Sequence, residues 1–207
     1  MAGCEAREEH WQRVWSEKDA ERVSWYEAVP VTSLALIEEG GPAADTPILD
    51  VGGGASTLVD HLLDRGYRDV TVLDIAPAAF APARRRLAER AAAVHWEVAD
   101  VTRWQPPRRY GLWHDRAVFH FLVAETERAA YRATLARALA RDGLAIVATF
   151  APDAPPKCSG LPVRRHDPEA LAAAFAGILE PVSWRRHLHV TPGGVRQPFV
   201  YGLFRRR

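Results

Sequence analysis

Short apolar runs broken by glycine and proline alternate along this chain with segments of helical spacing. Between positions 5 and 22, Trp11, Val14 and Trp15 recur at helical spacing among charged residues, predicting an amphipathic helix. Val23-Ser24-Trp25-Tyr26-Glu27 follows, and after Pro30 a second helix is predicted around 33–37. Ile48 to Val51 reads as a strand, Gly52-Gly53-Gly54 as a turn, and Leu58, Val59, Leu62 and Leu63 as the buried stripe of a helix over 58–65. Strands are then expected at 69–74, 94–100, 110–115 and 144–150, the second and fifth with the continuous apolar character of strands covered on both faces. Helices are expected between them at 77–90 and 126–141, the latter closed by Asp142-Gly143.

Beyond the fifth strand, residues 151–162 hold Pro152, Pro155, Pro156 and Pro162 and predict a long loop. Asp167-Pro168-Glu169 is a helix start, with an N-cap acid and a proline in the first turn. Two last strands, 178–190 and 197–204, flank Thr191-Pro192-Gly193-Gly194 and predict a β-hairpin. Regular alternation of strand and helix means an α/β fold. The expected form is doubly wound and Rossmann-like, with seven strands, mostly parallel, and an antiparallel C-terminal hairpin. No repeat or linker divides it. One domain is expected over 1–207, with a helical cap (1–47), a core (48–150) and a loop, helix and hairpin (151–207).

Composition narrows the partners. The chain has 207 residues with 27 basic against 26 acidic, so no overall basic footprint for nucleic acid exists. Two cysteines, Cys4 and Cys158, imply no disulfide framework. No apolar run is long enough to span a bilayer, and a cytoplasmic protein with no membrane partner is the expectation. Oligomeric state is not legible.

The chemistry centres on the glycines. A tight glycine turn between a strand and a helix lets backbone approach a ligand and aims free N–H groups at it. In open α/β sheets ligands sit beyond the carboxyl ends of the strands, and Asp50, Asp74, Asp100 and Asp115 all fall there. A carboxylate at the end of the second strand suits a ribose diol. The dinucleotide fingerprint G-x-G-x-x-G fails, because Thr57 stands where its last glycine would be. Asp50, directly before the glycines, would repel a pyrophosphate. A cofactor with a cationic amino-acid end fits better.

Asp50-Val51-Gly52-Gly53-Gly54-Ala55-Ser56 resembles the acidic-x-Gly-x-Gly-x-Gly motif of class I S-adenosylmethionine (SAM)-dependent methyltransferases, with Ser56 in place of the last glycine. The resemblance covers 48–150. It implies SAM as cofactor, with Asp74 on the ribose, Ile75 packing on the adenine, and Asp100 and Val101 at the adenine edge. Further likenesses, at Trp15, Ser24-Trp25-Tyr26, His114-Asp115-Arg116, 158–162 and the terminal hairpin, are to a group of small bacterial methyltransferases. Cofactor contacts are therefore expected from Trp25, Asp50, Gly52, Gly53, Gly54, Ser56, Asp74, Ile75, Asp100, Val101 and Asp115.

Methyl transfer from a sulfonium needs positioning and exclusion of water more than acid–base help, so catalytic candidates are harder to name. His114, Asp115, Arg116 and His120 cluster after the fourth strand. His114 reads equally as a packed histidine, and His120, between Phe119 and Phe121, as a core one. Tyr26, Arg116, Cys158 and His189 are candidate acceptor contacts. His187 and His189 share one strand face at a spacing also found in metal sites, but no neighbouring acid in the sequence completes one and no metal is expected. The aromatic stretch before the first strand is read either as core packing or as a lid. A small-molecule acceptor is expected, because the amino-directed nucleic-acid methyltransferase motif is absent after the fourth strand. A protein side chain such as lysine is the alternative acceptor.

Overall fold

The computed structural model describes residues 2–207, with side-chain surroundings from Ala6 onward; Cys4 lies outside the latter. Its elements run α1 (Ala2–Glu17), α2 (Val31–Gly40), β1 (Ile48–Val51), α3 (Leu58–Asp64), β2 (Val70–Asp74), α4 (Phe80–Leu87), β3 (Val94–Val98) and β4 (Tyr110–Arg116). They continue with α5 (Glu125–Ala138), β5 (Leu139–Phe150), a minor pair β6 (Lys157–Cys158) and β7 (Leu161–Pro162), α6 (Pro168–Ala174), β8 (Leu179–Val190) and β9 (Arg196–Arg206). Among the described residues, seven strands form one sheet in the order β3-β2-β1-β4-β5-β9-β8. The first five run parallel, while β9 pairs antiparallel with both β5 and β8. This is the expected Rossmann-like sheet with its closing hairpin.

Both faces are covered. One apolar layer joins Leu34, Leu36 and Ile37 of α2, Leu58, Val59 and Leu62 of α3 and Phe80 of α4 to Ile48, Val70, Val72 and Leu112 of the sheet. The other joins Tyr131 and Leu135 of α5 and Leu171 of α6 to Leu49, Leu73, Trp113 and Val147. Alternate strand residues point to opposite faces, so β1 feeds Ile48 to one layer and Leu49 to the other. Burial on both sides is what makes β1 and β2 fully inaccessible.

Three boundaries differ from expectation. The helix expected over 126–141 ends at Ala138, because fully buried Leu139 pairs with Tyr110 at the start of β5. Asp142-Gly143, expected as a helix stop, lies inside β5, where Asp142 has φ 59° and the β4–β5 register shifts. That is the signature of a β-bulge. The proline loop is also less irregular than expected. Ser159 (φ 48°) and Gly160 (φ 80°) form a two-residue turn joining β6 to β7.

Candidate active site

The carboxyl ends of β1, β2 and β4 form the floor of the site. Gly52 takes φ +68° and donates its N–H to Leu73 O at 2.7 Å, so the chain leaves β1 in a conformation that L side chains avoid. A side chain on Gly53 would collide with the Asp50 carboxylate, and one on Gly54 would lie 2.7 Å from Asp74 Oδ2. The glycines thus leave room for two acids close behind the loop. Ser56 accepts the Leu58 N–H at 3.1 Å through its hydroxyl, satisfying a free donor at the start of α3. That is how the loop accommodates serine at this position.

Asp74 is buried at the end of β2. Its Oδ1 accepts the Ala76 N–H at 3.0 Å, and its Oδ2 faces Gly54. Burial, with the Asp50 charge nearby, pushes its carboxyl up to about 7 against the hydrogen bonds that favour ionisation. Such a group gains from hydroxyl donors. Asp100, past β3, accepts both the N–H and the hydroxyl of Thr102 at 2.8 Å through Oδ1, while its Oδ2 is 3.5 Å from Arg7. With Val51, Leu73, Ile75, Val101 and Cys158 these acids line one cavity.

Its roof comes from the N-terminal region. Trp11 and Trp15 of α1 each meet the Trp25 ring edge-on at 5.6 Å, and Trp11 meets Phe121 at 5.1 Å. All four line the cavity. Trp25 belongs to an irregular strap, residues 24–28, whose backbone carbonyls are held by four side chains. His189 Nε2 donates to Ser24 O (2.8 Å), Arg116 Nη1 to Trp25 O (3.1 Å), Thr57 Oγ1 to Glu27 O (2.8 Å) and His61 Nε2 to Ala28 O (3.2 Å). Tyr26 faces a second space, which shares Trp15, Trp25, Val51, Gly52 and Arg116 with the first.

The four candidates around β4 separate by the two-residue period of the strand. His114 and Arg116 point to the strap side and Asp115 to the other. His114 is clamped between Asp50 Oδ1 (2.7 Å) and Ser33 Oγ (2.8 Å). Asp50 Oδ2 stays buried with no partner. Arg116 donates to Tyr201 OH at 2.9 Å, lies 3.2 Å from Glu27 and stacks 4.7 Å over Phe199, with its Nη2 buried and unpartnered. Asp115 departs from the expected cofactor or catalytic contact. It lines neither space, and its oxygens accept Val118 N–H (2.7 Å), Phe119 N–H (3.0 Å) and Tyr131 OH (2.5 Å). It shapes the turn after β4.

His120 departs likewise. It is fully buried between Phe121 and Phe150, both ring nitrogens are unpartnered, and burial beside Arg116 and His166 lowers it to about 3. A neutral core imidazole is the result. Cys158 does line the cavity, as a thiol that burial pushes up to about 11. His189 lines neither space and holds the strap instead. Sequence reasoning missed Arg7, Thr57, Phe121 and Glu27, and reached Trp11 only through the reading of the N-terminal aromatics as a lid. Trp11 alone carried a signal, its helical spacing with Trp15.

Residues 48–143 match the family model of a methyltransferase domain. Residues 48–143 are a methyltransferase domain. Among curated proteins, none matches it. Solved structures share the fold of this methyltransferase throughout. One, from work on conversion of a disulfide bond into a thioacetal group in echinomycin biosynthesis, is 24% identical with TM-score 0.76, covering 96% of this chain and 92% of that one. The N-methyltransferase NodS of Bradyrhizobium japonicum, in complex with S-adenosylhomocysteine, is 16% identical with TM-score 0.72 and 98% coverage of both chains. A Burkholderia thailandensis 1,6-didemethyltoxoflavin N1-methyltransferase, with that compound and S-adenosylhomocysteine bound, is 21% identical with TM-score 0.68, covering 99% and 86%. No described helix is long and apolar enough to cross a membrane.

Proposed function

We propose that this methyltransferase moves a methyl group from SAM to a small-molecule acceptor held beneath the indole roof. SAM is the cofactor of the methyltransferase domain that the chain carries. The observation that carries the reading is Asp74, a buried carboxylate with one oxygen turned to the glycine loop on the wall of a largely apolar cavity. Asp74 would hold the ribose hydroxyls, Ile75, Asp100 and Val101 the adenine, and Asp50 Oδ2 the ammonium of the methionine end. Gly52, Gly53 and Gly54 let the backbone come close enough. When bound, the cofactor supplies an electrophilic methyl already activated by its sulfonium.

What the protein adds is placement and dryness. Trp11, Trp15, Trp25 and Phe121 exclude water from the transfer path, which strengthens every charge interaction inside. No histidine lines the larger cavity, and the Cys158 thiol is too weak an acid to serve as a base near neutral pH. With Asp74 and Asp100 given to the cofactor, the acceptor atom arrives already unprotonated. Arg116 Nη2, buried and unpartnered on the cavity wall, would pair with an anionic group there. A cavity covered by Trp11, Trp15, Trp25 and Phe121 suits a small molecule, such as the 1,6-didemethyltoxoflavin named for one structural neighbour, better than a polypeptide segment. One domain over 1–207 would bear all of this.

Calorimetry with SAM and S-adenosylhomocysteine tests the reading. Micromolar binding to the wild type and its loss in Asp74→Ala are expected. Equal affinity in both would remove the ribose assignment.

A further inference from the structure

At the edge of the second space, which Glu27 lines, the strap and β8 meet at a group that the methyl-transfer reading does not use. His187 and His189 occupy one face of β8, and the strap brings Glu27 up to them. Glu27 Oε1 lies 3.3 Å from His187 Nε2 and 3.5 Å from His189 Nδ1, and the three ligand atoms fall within 4.8 Å of one another. We infer that Glu27, His187 and His189 form a divalent-metal site of the zinc type that staples the strap to β8.

The tautomer of His189 is the first support. Its Nε2 is 2.8 Å from Ser24 O, 165 positions away in the chain, and a carbonyl only accepts. Nε2 therefore carries the hydrogen, and in the neutral ring Nδ1 turns a lone pair toward a carboxylate oxygen. Two acceptors face each other, which calls for a cation or a second proton between them. The spacing favours the metal. Both separations exceed the roughly 2.7–3.2 Å of a hydrogen bond. They match the roughly 3.3–3.4 Å edge of a tetrahedron whose metal–ligand bonds are about 2.0–2.1 Å.

The groups behind the ligands fit the same reading. A carbonyl behind His189 fixes ring and tautomer, as such partners do for metal-bound imidazoles. The Arg116 guanidinium, with Nε 3.2 Å from Glu27 Oε2, sets its charge against the other oxygen and leaves Oε1 to the histidines. Two imidazoles and one carboxylate suit zinc among the common divalent ions, with water completing the shell. The guanidinium charge of Arg116 weakens binding, so a tight but removable ion is expected, not a permanent one.

The test uses the full chain, stripped with a chelator and titrated with zinc alone against a chromophoric chelator. One equivalent should bind the wild type, and His187→Ala, Glu27→Gln and the His187→Ala/His189→Ala pair should each bind at least about tenfold more weakly. His187 is a quarter exposed on its strand, so its single variant should fold, as circular dichroism would verify. Cobalt in place of zinc should give the strong visible absorption of a four-coordinate ion in the wild type only. Zinc should raise the wild-type Tm and leave that of His187→Ala unmoved. Equal zinc uptake by wild type and variants would mean an adventitious ion only and overturn the site. Binding without a Tm difference would overturn the staple. Neither readout involves SAM, so failure here is distinct from failure of the methyl-transfer reading.

Discussion

The carboxyl ends of β1 and β2 and the strap that faces them close one cavity by opposite means. At the strand ends, local sequence does the work: three consecutive glycines, an acid just before them and another ending the next strand. Asp50 directly precedes the loop, and parallel pairing of β1 with β2 brings Asp74 beside it. The strap has no regular structure of its own. It is held by His61, Thr57, Arg116 and His189, from α3, the residue preceding it, β4 and β8. The floor is thus a local motif and the roof a tertiary assembly. A floor residue can be altered with effects confined to binding, whereas a change at the strap's anchors acts on folding and closure together.

Arg116→Leu should have the largest effect. It leaves Glu27 largely buried with only histidine partners and removes the Trp25 carbonyl's donor. Loss of about 3 kcal/mol is expected on breaking a buried pair, read from chemical denaturation. A loss no greater than that of an exposed arginine would mean the strap is not anchored there.

Asp74→Asn probes the floor and should separate stability from binding. The folded carboxyl titrates near 7, above the usual carboxylate range, so the unliganded fold holds its proton more tightly than the unfolded chain. Stability from this group is full at acid pH and falls as pH rises toward 7. The wild type should therefore lose Tm relative to Asp74→Asn as pH rises from about 4 to 7, and no further above that. SAM affinity should move the other way, tightening in the wild type as the carboxylate ionises and staying flat in the variant. Parallel pH profiles for both proteins would contradict the buried-acid assignment.

Tyr131→Phe tests the far face of β4. Removing a hydroxyl donor from buried Asp115 should cost about 1–2 kcal/mol and leave SAM affinity unchanged, since Asp115 lines neither space. A drop in affinity out of proportion to stability would return Asp115 to the cofactor. The smallest effect is expected from Thr57→Val, which deletes the O–H donor to Glu27 O. Roughly 1 kcal/mol should be lost, with the acceptor KM rising more than kcat falls, because Trp25 of the strap roofs the cavity.

The α/β alternation, the closing hairpin, the glycine loop and the acids at 50, 74 and 100 were readable from residue order, because each rests on neighbours in sequence. Periodicity placed the strands well. It misjudged the end of α5 only because pairing of Leu139 with Tyr110 outweighed local helix preference. The group at 114–116 shows where linear reading stops. Three adjacent polar residues looked like one site, yet a strand sends alternate side chains to opposite faces. Asp115 went to the α5 side, where Tyr131 and two N–H groups consume its oxygens.

Sequence by itself determined the fold class and the glycine turn with its acids at the strand ends, since short-range backbone rules suffice for a strand, a glycine turn and a helix start. Only the tertiary structure decided what closes that site. Glu27 has no sequence neighbour that marks it, and His187 and His189 looked incomplete as a pair. Sheet order brings β8 and β9 beyond β5 and the strap across β4, and the acid then meets both imidazoles. The distance along the chain between such partners carries no periodic signal, so their meeting is a property of packing alone.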